Sequence, residues 1–374
     1  DGFKYWSYVL VYTDDLLVIH HEPQSVMDFL ASRYTLKEGS VMEPEVYLGA
    51  QVKKWHITGS DDPQKVRWAM SSEDYVKQAV SDVETELQKV DKCLPTRVGT
   101  PLSQGYQPEL DGSAELDAIR GQYYQSLIGV LRWICELGRI DIMVSVSMLS
   151  RYVVSPRDGH LQQVFHIFAY LKHHKRSTMV FDETMPQYDE RRFKQVDWSE
   201  SYPDAAEPIP MNHPEPRGNM VSTSCFADAD HAGCKETRRS HTGILLFVNR
   251  APIAWYSKRQ NTVESSTFAS ELIALNTSVD LIKGVRYKLR MMGIPLDGPT
   301  SLFCDNESVV KNSTAPESVL KKRHTAICYH RVREASAAGF IRIAHEDGKM
   351  NLADVLTKIM PGPRMNELLD GILW

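Results

Sequence analysis

Three short apolar segments follow one another between residues 221 and 258 and most constrain what this chain can fold into. They read VSTSCFAD, TGILLFVN and APIAWYSK, with a polar loop after the first and the turn Asn249-Arg250 after the second. Short segments of this kind, bounded by turn signals, are typical of successive β-strands. A long helical pattern follows them directly, so this half predicts a sheet that is covered by a helix.

The rest of this half continues the alternation of strands and helices. After the helix SSTFASELIALNTSVDLIKGVRYKLRMM come the strand TSLFCD, the helices ESVVKNS and TAICYHRVREASAAG, the strand FIRIAHE and a last helix from NLADVLTKIM. The order is β-β-β-α-β-α-α-β-α. It predicts an α/β (α+β) class with a mixed sheet flanked by helices.

Four acidic side chains in this half occupy related places in the predicted elements. They are Asp228 at the end of the first strand, Glu271 near the start of the first helix, Asp305 at the end of the fourth strand and Asp354 at the opening of the last helix. Ligands and chemistry collect at strand ends and facing helix starts in folds of this class. We therefore expect the side chains to converge.

A single aspartate at a strand end more often stabilises a turn, so the ordered set of four is the stronger evidence. Asp230 is an alternative to Asp228, and we prefer Asp228 because it ends the strand pattern. Carboxylates at one point repel one another unless cations lie between them. Two Mg²⁺ or Mn²⁺ ions about 3.5–4 Å apart are the usual solution, and the set predicts such a site.

The first half opens with YVLVYTDDLLVIHH, which predicts a hairpin with Asp14 and Asp15 at or beside its turn. The segment EPQSVMDFLASRY predicts a helix, and PEVYLGAQVKKW predicts a strand interrupted at Gly49. From Ser71 to Lys172 the pattern is helical. The stretch from Asp182 to Asn219 is rich in proline and acids without a period, which indicates a linker.

Composition excludes several classes of protein. The net charge of −5 argues against binding DNA by bulk charge, so a polyanion must be met by local basic patches. The six cysteines have no zinc spacing. No apolar run is long enough to span a bilayer, and the first residues lack the pattern of a signal peptide. These features predict an intracellular protein without a membrane partner.

Several motifs, taken in order, resemble the C-terminal part of a Ty1/copia-type retrotransposon Pol polyprotein. FADADHAG, SSTFASELIAL, LFCDNES and NLADVLTK resemble its ribonuclease H domain, and VYTDDLLVI resembles its polymerase hairpin. YLGAQV resembles the primer-grip region. Four further segments resemble the family's thumb and connection: GTPLS, YYQSLIGVLRWI, IDIMVSVSMLSRYVVSP and HLQQVFHIFAYLK. The resemblance covers nearly the whole chain in the family's order.

The resemblance implies a truncated polymerase palm with a helical thumb and connection, followed by a ribonuclease H-like mixed five-stranded sheet flanked by helices. The implied boundaries are 1–60 for the partial palm with its YTDD hairpin and primer-grip-like segment, 61–181 for the thumb and connection, 182–219 for a linker and 220–374 for the ribonuclease H-like domain.

By motif, the resemblance makes Asp14 and Asp15 the palm carboxylates, and makes Asp228, Glu271, Asp305 and Asp354 the ligands of two Mg²⁺ or Mn²⁺ ions. His345 stands where such enzymes often place a mobile histidine that helps product leave; an exposed strand-end histidine is the alternative. Contacts to nucleic acid are expected from Tyr47, Leu48, Gly49, Lys258, Arg259, Lys322 and Arg323, each of which is also a plausible plain surface residue.

Three positions depart from the family's pattern. His231 replaces a usual tryptophan, Phe268 replaces a usual acid, and Thr13 precedes the aspartates where valine is common. The palm also lacks an earlier strand with a further carboxylate, so we expect no DNA polymerisation by this chain alone.

The first functional hypothesis is therefore a metal-dependent ribonuclease H that cuts the RNA strand of an RNA–DNA hybrid, in the cytoplasm within a virus-like particle or in the nucleus. Either the N-terminal part of Pol or a second copy of the chain is a further expected partner. The alternative is a non-catalytic, truncated or host-adopted remnant that binds nucleic acid. A transposase or integrase is disfavoured because those enzymes place the glutamate last, whereas Glu271 is second here.

Overall fold

A computed structural model describes residues 4–13, 15–56, 66–174, 178–320 and 323–374. The strands are β1 (Tyr8–Tyr12), β2 (Asp15–Ile19), β3 (Val46–Tyr47), β4 (Ala50–His56), β5 (Val66–Ser71), β6 (Thr178–Val180), β7 (Thr223–Asp230), β8 (His241–Val248), β9 (Ala251–Arg259), β10 (Thr300–Cys304) and β11 (Ile341–His345). The α-helices are α1 (Pro23–Ala31), α2 (Glu73–Gln88), α3 (Ala118–Glu136), α4 (Met143–Leu149), α5 (Asp158–His173), α6 (Thr267–Met291), α7 (Glu307–Thr314), α8 (Ala326–Ala337) and α9 (Gly362–Leu369).

The second half of the chain builds a five-stranded sheet in the order β11-β10-β7-β8-β9. Strands β7, β8 and β9 pair antiparallel, whereas β10 lies parallel to both β7 and β11. The predicted mixed sheet flanked by helices is confirmed. Because β7 and β10 are parallel neighbours, the residues that end them lie at one edge of the sheet.

Both faces of this sheet are apolar and buried. Successive residues of β7 alternate: Cys225 and Ala227 join a cluster with α6 and α8, whereas Phe226 joins a second cluster that contains residues of α3, α4 and α5. The indole N–H of Trp255 on β9 donates to the Cys135 carbonyl at the end of α3 (3.1 Å). The helical part of the chain is therefore packed onto the sheet and shares its core.

A second, four-stranded sheet has the order β3-β4-β5-β6. Its first three strands precede helices α2 to α5 in the sequence, and β6 follows them. The sequence analysis placed no strand at β5 or β6, and it began the first long helix at Ser71, which is the last residue of β5. β6 has only three residues, too few for a period, and it is completed by backbone hydrogen bonds between Thr178 and Trp374 (2.8 and 2.9 Å).

The hairpin predicted at the start of the chain is confirmed, with Tyr12 opposite Asp15 in the register. Thr13, at φ 52°, follows β1, and Asp14 lies outside the described residues. The expectation of one strand interrupted at Gly49 was wrong. Gly49 instead lies in the turn of a second hairpin, between β3 and β4. Leu48 (φ 53°) and Gly49 (φ 85°) both adopt left-handed conformations, which favour glycine and suit a tight hairpin turn.

The segment 182–219 has little regular structure, as its composition predicts, but it is packed against the five-stranded sheet and α6. The Glu207 carboxylate accepts hydrogen bonds from both Arg286 and Arg290 of α6 (2.7–3.1 Å). Near the other end, Arg192 donates to the His345 carbonyl (2.6 Å). The segment therefore forms an ordered strap across this half of the chain.

The last predicted helix is divided in two. Leu352–Leu356 forms a 3-10 helix, and α9 begins only at Gly362, after Pro361. Asp354 thus lies in a 3-10 helix and does not open the final α-helix. None of the helices within the described residues combines the length and apolar character needed to cross a bilayer.

Gly243 on β8 allows this 3-10 helix to approach the sheet, and we predict that Gly243→Ala destabilises the protein. A Cβ there would lie 2.7 Å from the Ala353 carbonyl oxygen and 2.6 Å from Thr357 Cγ2. We expect a loss of about 1–3 kcal/mol in the free energy of unfolding, measured in urea. The matched control is Gly284→Ala on α6, where a Cβ meets nothing within 4 Å. It should instead stabilise the helix by about 0.5–1 kcal/mol, and equal effects of the two changes would contradict the packing argument.

Candidate active site

The first two carboxylates of the predicted set lie at the edge where β7 and β10 run side by side. Asp228 is two residues from the end of β7, and only 1% of it is exposed. Asp305 directly follows β10 and is partly buried. Cys304 is opposite Ala227 in the parallel register, so the two aspartates come from adjacent positions on neighbouring strands.

Glu271 reaches this edge from α6. The hydroxyl of Ser266 caps the helix by accepting a hydrogen bond from the Ala269 N–H (3.3 Å), which fixes the first turn. α6 packs against β7, and only 6% of Glu271 is exposed. Its Oε2 atom is buried without a hydrogen-bond partner within the described part of the chain.

Asp354 is brought to the edge by the 3-10 helix Leu352–Leu356. Asn351 caps that helix by accepting from the Ala353 N–H (3.2 Å), and its amide donates to the Ala227 carbonyl (3.0 Å). One side chain therefore both starts the helix and attaches it to β7 beside Asp228.

The carboxylates converge as expected from the sequence. Asp228, Asp305 and Asp354 each offer an oxygen atom, and these atoms lie within 4.8 Å of one another. Glu271, Asp305 and the Cys304 thiol form an overlapping group with the same spacing. Asp305 belongs to both groups, so all the predicted carboxylates surround one small volume.

Close approach and burial raise the pKa values of these carboxyl groups. Burial, followed by the charge of Asp228, raises the pKa of Asp354 to about 6 and also raises that of Asp305. The pKa of Glu271 is raised well above its ordinary value, chiefly by burial and then by Asp228 and Asp305. The cluster therefore resists full ionisation in the absence of a cation.

A cation of the protein itself, Lys358, contacts the cluster. The ammonium group of Lys358 lies 2.6 Å from Asp354 Oδ1 and 3.3 Å from Asp228 Oδ2. The hydroxyl of Thr357 also donates a hydrogen bond to Asp228. These two residues orient Asp228 and offset part of the negative charge.

The residues present fit hard divalent cations. Carboxylate oxygens are the ligands that Mg²⁺ and Mn²⁺ prefer, and the unpartnered Glu271 Oε2 is an acceptor still available to a cation. Cys304 does not alter that choice, because complete burial keeps the pKa of its thiol well above the ordinary value and the thiol neutral. We therefore treat the cluster as a candidate magnesium or manganese centre.

Asp230, the alternative first member, lies on the same strand but outside the group of three aspartates. Strand β7 continues to Asp230, so the reason for preferring Asp228, that it ends the strand, was wrong. The Asp230 carboxylate lies against Gly233, where it fills the position that a Cβ would take. The geometry thus groups Asp228 with the other acids.

His345 ends β11 beside the cluster. Its Nε2 atom lies 3.0 Å from the Asp305 carbonyl oxygen, and the side chain is exposed. Arg192 of the strap holds this strand end through the His345 carbonyl and through an ion pair with Glu346 (3.1 Å). His345 is therefore near the carboxylates but on their solvent side.

The residues expected to contact nucleic acid are spread over separate elements. Asp15 is exposed at the start of β2, and Tyr47, Leu48 and Gly49 form the β3–β4 turn in another sheet. A Cβ at Gly49 would lie 3.6 Å from the Trp133 indole nitrogen. Lys258 and Arg259 end β9, Arg323 is exposed, and Asp14 and Lys322 lie outside the described residues. The structure does not gather the described members of this set into one site.

Sequence reasoning missed the residues that support the carboxylates. Asn351, Thr357 and Lys358 all belong to the NLADVLTK motif, but only Asp354 was singled out. The spacing of Asp354 and Lys358, four residues apart, was the available signal, because such pairs lie on one side of a helix. Gly243 gave no signal, since its role depends on a segment more than a hundred residues away.

The raised pKa of Asp354 predicts how pH changes the stability of the metal-free protein. A carboxyl whose pKa is higher in the folded state stabilises that state only while protonated. This contribution is fully present below about pH 4 and is lost as the pH rises through about 6. We expect the free energy of unfolding, measured in urea with a chelator present, to fall between pH 4 and pH 8. The fall should be smaller for Asp354→Asn than for the wild type.

Two controls make this prediction specific to the cluster. For Asp204→Asn, at an exposed position away from the site, the free energy of unfolding should fall with pH as much as it does for the wild type. Mg²⁺ added at pH 8 should stabilise the wild type and not Asp305→Asn. Equal declines in the wild type and Asp354→Asn would contradict the electrostatic account.

Comparison with known proteins gives relatives along most of the chain, although no family model matches it. The chain is 27% identical over 355 residues to the retrovirus-related Pol polyprotein from transposon RE1 of Arabidopsis thaliana. The alignment covers 94% of this chain and 20% of that protein. The chain is 24% identical over 280 residues to a putative transposon Ty5-1 protein of Saccharomyces cerevisiae, which covers 73% of each. The chain spans about one fifth of the length of the Arabidopsis Pol relatives.

Similar solved structures include the ribonuclease H1 of Halobacterium salinarum NRC-1, at 18% identity, with 40% of this chain and 98% of that chain covered and a TM-score of 0.29. A foamy viral protease-reverse transcriptase in complex with an RNA/DNA hybrid covers 62% of this chain and 27% of that one, at 11% identity and a TM-score of 0.30. The resemblance predicted from the motifs is confirmed by the sequence relatives: homologues of this chain are Pol polyproteins of copia-type retrotransposons.

Proposed function

We propose that the chain is a metal-dependent ribonuclease H that cuts the RNA strand of RNA–DNA hybrids. One observation carries the proposal: Asp228, Asp305 and Asp354 place oxygens within 4.8 Å of one another, beside a buried Glu271 whose Oε2 has no partner within the described residues. Such a set is costly unless it binds cations. Homology to Pol polyproteins supports a nuclease or reverse-transcriptase-related role for it.

Each of the four acids has its own part in this proposal. Asp228, Glu271, Asp305 and Asp354 would hold two Mg²⁺ or Mn²⁺ ions, and Thr357 and Asn351 would keep Asp228 and Asp354 in position. Ions bound there would supply Lewis-acid stabilisation of the phosphodiester and a more acidic water. The half-buried Lys358 side chain would move to accommodate a cation, because its ammonium group already contacts two of the ligands.

The proposal includes the polymerase-related half. Asp14 and Asp15 are hairpin carboxylates related to a polymerase site, and the turn Tyr47–Gly49 contacts the primer backbone. Lys258, Arg259, Lys322 and Arg323 contact phosphates. Partners beyond the hybrid are the N-terminal part of Pol or a second copy of the chain, and the compartment is a cytoplasmic virus-like particle or the nucleus.

The decisive prediction concerns Asp305→Asn. The purified chain should cut the RNA strand of a labelled hybrid with Mg²⁺ or Mn²⁺, and not with a chelator. Asp305→Asn should lower the rate by at least about a hundredfold, because it removes a carboxylate shared by both groups of ligands. Asp204→Asn, an exposed aspartate outside the cluster, is the matched control and should cut normally.

The outcomes separate the two functional hypotheses. Metal-dependent cutting that Asp305→Asn abolishes would support the nuclease. Binding of the hybrid without cutting would favour the non-catalytic remnant. Normal cutting by Asp305→Asn would refute the assignment of the site.

His345 gives a kinetic prediction of its own. If it helps product leave, His345→Ala should lower the steady-state rate and leave the first turnover unchanged, as measured by single-turnover and burst kinetics. The exposed His330→Ala on α8 is the control and should change neither rate. A slower first turnover in His345→Ala would instead place His345 in the chemical step.

A further inference from the structure

A groove of about 810 Å³ runs beside the carboxylate cluster. One wall is the loop 97–109, which precedes α3, and the other is the segment 357–363, which follows the 3-10 helix of Asp354. Thr357 and Lys358 line the groove and also contact Asp228. The groove therefore lies next to the carboxylates, separated from them by these two side chains.

The loop 97–109 is held in place by α5. The Ser103 N–H donates to Gln163 Oε1 (3.0 Å), and the His160 ring nitrogen Nε2 lies 2.9 Å from the Pro108 carbonyl oxygen. The Leu102 side chain is fully buried in the core. The loop thus presents a fixed surface to the groove.

The groove also has a fixed width. Glu109 Oε1 accepts a hydrogen bond from the Lys235 N–H (2.7 Å), which joins the loop to the turn after β7. On the other side, a Cβ at Gly362 would lie 2.7 Å from the Gly99 carbonyl oxygen, so the two walls nearly touch. The helical part of the chain therefore forms a permanent wall beside the site.

The chemistry of the lining distinguishes between ligands. Gln104 is exposed, Gln107 is half-buried, and neither amide has a hydrogen-bond partner within the described part of the chain. Arg97 is exposed and has no ion pair with a described carboxylate. The lining has two aromatic rings, and both are engaged: the Tyr106 hydroxyl donates to Asp111, and Nδ1 of the half-buried His166 lies 3.2 Å from the Pro101 carbonyl oxygen. Free amides and one guanidinium suit ribose hydroxyls and phosphate better than stacked bases.

We propose that this groove binds the RNA strand of the hybrid next to the cleaved phosphodiester. Gln104 and Gln107 contact 2′-hydroxyl groups, and Arg97 contacts a phosphate. The inference rests on the proposed function, because the strand that is cut must pass the carboxylates and the groove lies beside them. It assigns part of the recognition of RNA to the helical half of the chain.

The test compares a groove variant with a matched control in the full chain. The groove variant carries Arg97→Ala, Gln104→Ala and Gln107→Ala. The control carries Lys92→Ala and Gln122→Ala, which are exposed and outside the groove. We expect the groove variant to raise KM for the hybrid about tenfold or more, as the loss of several hydrogen bonds predicts, with little change in kcat. The control should match the wild type.

A second readout separates direct contact from a structural effect. Hybrids with a single 2′-deoxy substitution near the cleaved position should be cut less efficiently by the wild type at the contacted nucleotides. In the variant Gln104→Ala with Gln107→Ala this penalty should disappear, because the partner amides are gone. Urea unfolding of the variants should match the wild type.

Failure of this inference is distinguishable from failure of the proposed function. If the wild type cuts and the groove variant shows an unchanged KM and an unchanged 2′-deoxy penalty, the groove assignment is wrong. A raised KM with no 2′-deoxy penalty would assign the groove to the DNA strand and would also overturn it. If the wild type does not cut, fluorescence anisotropy with the same hybrids decides: tenfold weaker binding by the groove variant supports the groove, and equal binding refutes it.

Discussion

The five-stranded sheet has two apolar faces, and the rest of the structure depends on covering both. Helices α6 and α8 cover one face, and the other is covered by α3, α4, α5 and the last residues of the chain. A face left in water would expose Phe226, Leu245 and Phe303, at a cost of several kcal/mol by the usual value of about 25 cal/mol per Å². The helical half is therefore part of the fold that carries the carboxylates.

The carboxylate cluster is stabilised by the backbone around it, since its side chains repel one another. Parallel pairing of β7 and β10 fixes Asp228 and Asp305, the cap at Ser266 fixes Glu271, and Asn351 ties the 3-10 helix of Asp354 to β7. The raised pKa values of Glu271, Asp305 and Asp354 reflect first their burial and then the remaining repulsion. Rigid elements of this kind are what a preorganised metal site requires.

The sequence predicted the sheet and the convergence of the acids because strand ends, helix starts and acidic residues are local signals. It did not predict β5 and β6, whose pairing is set by distant segments, or the division of the last helix at Pro361. It treated 182–219 as a linker because the partners of Glu207 and Arg192 are remote in sequence. The groove escaped notice for the same reason: its walls are separated by most of the chain.

The pairing of Trp374 with Thr178 has a consequence for the order of events during synthesis. The edge strand β6 is made almost two hundred residues before Trp374, which completes it, so on the ribosome it presents unpaired backbone groups. Contacts between such distant residues also form slowly, because a long stretch of chain must be ordered first. The nascent chain is therefore most exposed to aggregation in the interval between synthesis of β6 and synthesis of Trp374.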